Sequence, residues 1–270
     1  MPLPLPLATL LAALSQRKGS ILIGTLLTSI FARIRNDANL GPEDPRLVAS
    51  LASVVDARSP WTAVVAQLVH FSADHLALNL VALWQLAPAC EVRGKGEVTT
   101  FLYASFQLLT LSGALFIGGL FLAARRFGVA RAESTRAVGY SAVLFGWMSL
   151  QAAEAGPHAV FRLFGSPLKL PALFSPLLLI FATSLLIPNA SLGGHLAGYF
   201  AGLAVALGGI EWLTPGLAVT LALWGLAGAL FWKKAAEMEA AAASDPESGL
   251  LGSSSPSSSS TPSSTPRIVL

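Results

Sequence analysis

The sequence predicts an all-α, polytopic membrane protein: a helical bundle of six core transmembrane helices with a seventh on its C-terminal side. Three observations carry that reading. Hydrophobic residues make up 54% of the 270 residues and charged residues only 11%, where a soluble domain carries about 25% charged residues. Mean hydropathy is +0.66. Apolar runs near the length of a membrane span, about 17–25 residues, recur along the chain between stretches rich in proline, glycine and charge. These runs read as helices, because lipid offers a backbone N–H or C=O no partner outside its own helix.

Taken in order, residues 1–18 are proline-broken and too short to cross a bilayer, so they read as an N-terminal interfacial segment. A membrane domain follows over 19–232. Its first span, 19–34, is short. The second, 61–88, is too long for one straight crossing, which puts 61–71 at the interface. The others are 99–124, 138–155, 171–188, 192–211 and 215–232. The longest connection, 35–60, holds Asn36, Asp37, Pro42, Asp44, Pro45 and Pro60, and 156–170 holds Gly156, Pro157, Gly165 and Pro167. Residues 233–270 end in a Ser/Pro-rich tract that cannot bury a core and are expected to be disordered.

Several function classes fall away on composition. A net charge of +3 spread over so few charges makes no surface for nucleic acid. A single cysteine, Cys90, rules out an intrachain disulfide. One cysteine and four histidines leave no metal site, and no cofactor is called for. A transporter would show repeated halves or broken helices along a polar path, and the sequence shows neither.

Chemistry is sought where polar groups lie inside apolar spans, since they are costly there. Three of the four histidines, His70, His75 and His195, lie in or beside predicted spans. In HFSADHLALN, His75 and Asn79 are four residues apart and share a helix face, where two N–H donors could converge on a developing oxyanion. Asp74 adjoins His75 but is expected to point elsewhere on the helix. In LGGHLAGYFAGLA, Gly194, Gly198 and Gly202 recur every fourth residue beside His195, a spacing that lets helices approach closely. In VGYSAVLFG, Ser141 follows Gly139 by two residues and is expected a residue or two inside a helix start. Each cluster alone also fits plain helix packing or capping. Together they supply a hydroxyl, an imidazole and two further donors, which is what a Ser–His dyad with an oxyanion site requires.

These motifs resemble the rhomboid intramembrane serine proteases over about residues 60–211. Gly139-Tyr140-Ser141 is similar to the family's G-x-S at the start of the fourth core helix. His195 with its glycines is similar to the sixth-helix histidine, and His75 with Asn79 to the H-x-x-x-N pair of the second. His70, Glu91, Gly94 and Trp61 also match family positions, and the whole pattern looks most like plant rhomboid-like proteins of the six-plus-one type. The sequence departs from the family at Ala142, where glycine is usual, at Thr62 beside Trp61, where arginine is usual, and at Phe145, which is often tyrosine. The resemblance implies catalysis by Ser141 and His195, oxyanion contacts from His75 and Asn79, and helix packing at Gly139, Gly194, Gly198 and Gly202. It implies cleavage of transmembrane protein substrates within the lipid bilayer by a multi-pass integral membrane protein. The alternative it leaves open is a catalytically inactive relative that binds or escorts membrane clients.

Overall fold

The computed structural model describes Leu14, residues 17–93, 98–156, 158–162, 169–187 and 190–208, and scattered positions between 222 and 233. Gly94, the Ser/Pro-rich tract and most of the expected segments 1–18 and 215–232 lie outside the described residues.

The described chain is mostly helical. Helix α1 is Lys18–Asn36. A loop with a π-helical turn at Ala52–Asp56 leads to α2, Thr62–Val65, which tightens into a 3-10 turn at Ala66–Leu68. Then come α3, Ala73–Arg93, α4, Val98–Phe127, the short α5, Ala130–Ser134, and α6, Ser141–Glu154. Strands β1, Val160–Arg162, and β2, Lys169–Pro171, pair antiparallel, with Phe161 opposite Leu170. Helices α7, Phe174–Leu186, and α8, Leu192–Ala206, follow.

Helix α6 is the hub. Every residue from Ala142 to Trp147 is buried, as are Ser149, Leu150 and Ala152, the pattern of a helix enclosed on all sides. It meets α8 backbone to backbone. A Cβ added at Gly198 would lie 1.9 Å from the Ala142 carbonyl oxygen, and one at Gly202 would lie 2.1 Å from that of Gly146. Ser149 Oγ crosses the seam to donate to the Tyr199 carbonyl at 2.8 Å. On the α4 side, Phe101 stacks on Trp147 with centroids 5.1 Å apart, and Trp147 Nε1 donates to Ser105 Oγ at 3.2 Å.

Polar side chains tie the remaining elements together. Gln67 Nε2 donates to the Leu109 carbonyl at 2.7 Å, and its Oε1 accepts from Ser112 Oγ at 2.7 Å, which docks α2 on α4. Buried Glu91, in the last turn of α3, accepts the N–H groups of Gly19 and Ser20 at 2.9 and 2.8 Å. It thereby caps α1 with a carboxylate where the helix dipole is positive.

The last three helices are shorter than the apolar runs from which spans are expected, whereas α1 and α4 run slightly beyond theirs. Helices α6, α7 and α8 have 14, 13 and 15 residues, about 20–22 Å at 1.5 Å per residue. Among the described residues, one helix, Val98–Phe127, is long and apolar enough to cross a membrane alone. Thr62–Leu68 with Ala73–Glu91 passes only as a pair, bent by 89°. Local turn chemistry takes the missing lengths. Residues 138–140 form the turn into α6, and the hairpin occupies part of 156–170, where only a loop is expected, and takes Pro171 from the expected span 171–188. The 89° bend falls within 61–71, the stretch expected to leave the straight span.

Candidate active site

The approach to Ser141 is held by the long first loop and the segment after it. Ala49 and Ala137 exchange N–H···O bonds of 3.0 Å each, and Gly139 N–H donates to the Ala66 carbonyl at 2.9 Å. Tyr140 N–H reaches His70 Nε2 at 3.4 Å. Gly139 has φ +104°, and a Cβ there would lie 2.3 Å from His75 Cε1. Only glycine suits both that backbone and that contact. Ser141 is then the first residue of α6, with Tyr140 at the cap position.

Helices α3 and α8 start with serine caps. Ser72 Oγ accepts the His75 N–H at 3.3 Å, and Ser191 Oγ accepts the Gly194 N–H at 3.0 Å. Both are bonds from the third helical residue to the cap side chain. They fix the first turns that carry His75 and His195. Neither serine is singled out by the motifs above, although a serine immediately before a helical run is itself a start signal.

The geometry of the pair follows. Ser141 Oγ and His195 Nε2 are 3.0 Å apart. His195 is 4% exposed, and its ring lies against Phe145 with centroids 4.5 Å apart. Among the described residues, His195 Nδ1 has no hydrogen-bond partner. The imidazole is therefore held by ring packing and by the α6–α8 seam, and no carboxylate of the described residues orients it. His75 and Asn79 line the same cavity, of about 420 Å³, as Ser141 and His195. Asn79 Nδ2 donates to the His75 carbonyl at 2.8 Å, so one of its two amide hydrogens is engaged within its own helix. The His70 and His75 rings pack with centroids 4.8 Å apart. His70 thus buttresses both His75 and the turn into Ser141.

Two of the glycines expected at helix contacts do something else. Gly139 serves the turn and the His75 ring. Gly194 packs on its own cap, where a Cβ would lie 3.0 Å from Ser191 Oγ. The interhelical contact belongs to Gly198 and Gly202. Asp74, expected to point away, lines the cavity of Ser141 and His195. Ala142 lines a second, smaller pocket that Ser141 and His195 also touch, with Gln67, Ser112 and Gly194. Trp61 is exposed while Thr62 is buried.

A helical bundle that brings a serine hydroxyl and an imidazole within hydrogen-bond reach inside an apolar cavity has the layout of a serine hydrolase fitted into a helical membrane scaffold. The chain belongs to the rhomboid family: the Rhomboid domain model matches residues 57–212. It is 31% identical over 181 residues to rhomboid-type serine protease 2 of Saccharomyces cerevisiae, covering 67% of this chain and 61% of that one. Rhomboid-type serine protease 2 of Debaryomyces hansenii is 31% identical over 55% of this chain and 50% of its own. Rhomboid-like protein 15 of Arabidopsis thaliana is 30% identical over 58% of this chain and 38% of its own. The chain thus spans less than two thirds of the length of these relatives.

Proposed function

We propose that this protein is an intramembrane serine protease that cleaves transmembrane segments of membrane proteins with a Ser141–His195 dyad. The 3.0 Å contact between Ser141 Oγ and His195 Nε2 carries the reading. His195, with its proton on Nδ1, takes the Ser141 hydroxyl proton on Nε2 as Oγ attacks the scissile carbonyl. The N–H of Ser141, at the head of α6, is one of the helix donors with no intrahelical acceptor. It holds the oxyanion together with the second amide hydrogen of Asn79 and an imidazole N–H of His75. His195 then gives its proton to the leaving amine, and water hydrolyses the acyl-enzyme.

The proposed setting is a multi-pass membrane domain built on six core helices. The outward apolar side chains support it: Val81, Phe181, Leu185, Leu186 and Phe200 are all more than half exposed, which suits contact with lipid.

Fluorophosphonate labelling of the full chain in native membranes tests the dyad, together with cleavage of a model single-span substrate. Ser141→Ala and His195→Ala are expected to lower cleavage by more than about 1000-fold, with labelling lost in Ser141→Ala. Cleavage that persists unchanged in both variants rejects the dyad. A wild-type chain that is neither labelled nor active across varied substrates is instead a client-binding member of the family.

A further inference from the structure

The cavity that holds Ser141 and His195 carries one carboxylate, Asp74. Among the described residues, no lysine, arginine or glutamate lines it. Its walls are apolar at Leu78, Leu144, Phe145, Met148 and Leu179, and its other polar groups, apart from the two histidines, are neutral. Asp74 is exposed, and no described residue makes an ion pair or hydrogen bond to it. It sits in the first turn of α3, one residue before His75. A fixed charge at the edge of a low-dielectric pocket focuses its field into the pocket. No other described residue lining the cavity carries a charge that offsets that field.

We infer that Asp74 is a specificity-determining residue, favouring substrates that carry a lysine or arginine within a few residues of the scissile bond. The inference rests on the proteolytic reading of Ser141 and His195. Position in the first helical turn gives Asp74 a second, purely structural use, since a carboxylate there complements the helix dipole. That use bears on stability and makes no distinction between substrate charges.

The test uses three fluorophosphonates with tails of matched length ending in ammonium, hydroxyl or carboxylate. The second-order rate of Ser141 labelling is measured on the full chain in uncharged phosphatidylcholine nanodiscs. The wild type is expected to prefer the ammonium over the carboxylate probe by about 3- to 10-fold, the scale of a partly exposed charge pair. The ratio should fall toward one in Asp74→Asn, invert in Asp74→Lys, and shrink in the wild type as salt is raised. Asp56→Asn removes an exposed carboxylate that faces Arg125 and does not line the cavity, so it should keep the wild-type ratio. A single-span substrate scanned with Lys, Gln or Glu on either side of the cut should give the same order in kcat/KM. A wild-type ratio of one overturns the inference. So does a ratio retained in Asp74→Asn, including the case where that variant only melts earlier. If no probe labels Ser141 at all, the proteolytic reading itself fails and this inference falls with it.

Discussion

Helices α7 and α8 are nearly equal in length and both strongly apolar, yet they meet the central helix in opposite ways. Helix α8 presses on α6 until Gly198 and Gly202 touch carbonyl oxygens. Helix α7 buries only Pro176 and Ile180 and leaves Leu185 and Leu186 almost fully exposed. Hydrophobicity does not separate them; side-chain volume at the contact does. Glycine removes the spacer between backbones and gains close dispersion contacts. The sequence of α7, FSPLLLIFATSLL, has no glycine, so bulky side chains hold it off. One flank of Ser141 is therefore a rigid seam that sets the dyad distance. The other is a cavity wall, with Leu179 and Thr183 facing the reactive groups.

That contrast can be broken most severely at the seam. Gly198→Leu should force α8 away from Ala142, costing more than about 3 kcal/mol, at the upper end of overpacking effects. Ser141 labelling should be lost along with the thermal transition of the purified protein. A variant that still melts at the wild-type temperature and labels normally would show that the seam is not a packing contact. A gentler probe is Ser149→Ala, which removes the bond to the Tyr199 carbonyl. About 1 kcal/mol of stability should go, read as a lower melting temperature, with labelling of the remaining folded protein little changed.

Ala142→Gly tests whether the methyl next to the nucleophile hinders the oxyanion site. Turnover of a model substrate should rise by less than about 10-fold. A full donor is worth roughly 100- to 1000-fold, and Ala142 lines the small pocket shared with Ser141 and His195 but not the main cavity. The added glycine also costs the helix about 1 kcal/mol, so the variant should melt slightly earlier. The smallest effect belongs to the loose flank. Leu185→Ala, at a side chain 86% exposed, should change stability by no more than about 0.5 kcal/mol. A drop comparable to that of the seam variants would mean that α7 packs on something beyond the described residues.

Much of the seam was legible in the sequence, because its signals are local and repetitive. Four-residue glycine spacing announces close helix approach, and G-Y-S followed by a glycine-flanked histidine announces the two groups that meet across it. The break within 61–71 was legible too, since no single straight helix fits so long an apolar run. What stayed hidden depends on contacts distant in sequence or on short irregular pieces. Gly139 could not be distinguished from a helix-packing glycine without its positive φ and the His75 ring above it. Asp74 could not be placed on the cavity by helical periodicity alone, because the cavity's far wall comes from α7. The hairpin has strands of three residues each, too short for an alternating pattern to register.

The carboxylate of Glu91 sets an order of events during synthesis. It accepts the N–H of Gly19 from 72 residues further along the chain. At about 5–20 residues per second, the ribosome needs roughly 4–14 s to make that interval. Throughout that time the amino end of the first helix lacks the Glu91 carboxylate, and its free N–H groups need another acceptor. The first helix is therefore made in a provisional state, and its N-terminal end is completed only when the end of α3 arrives.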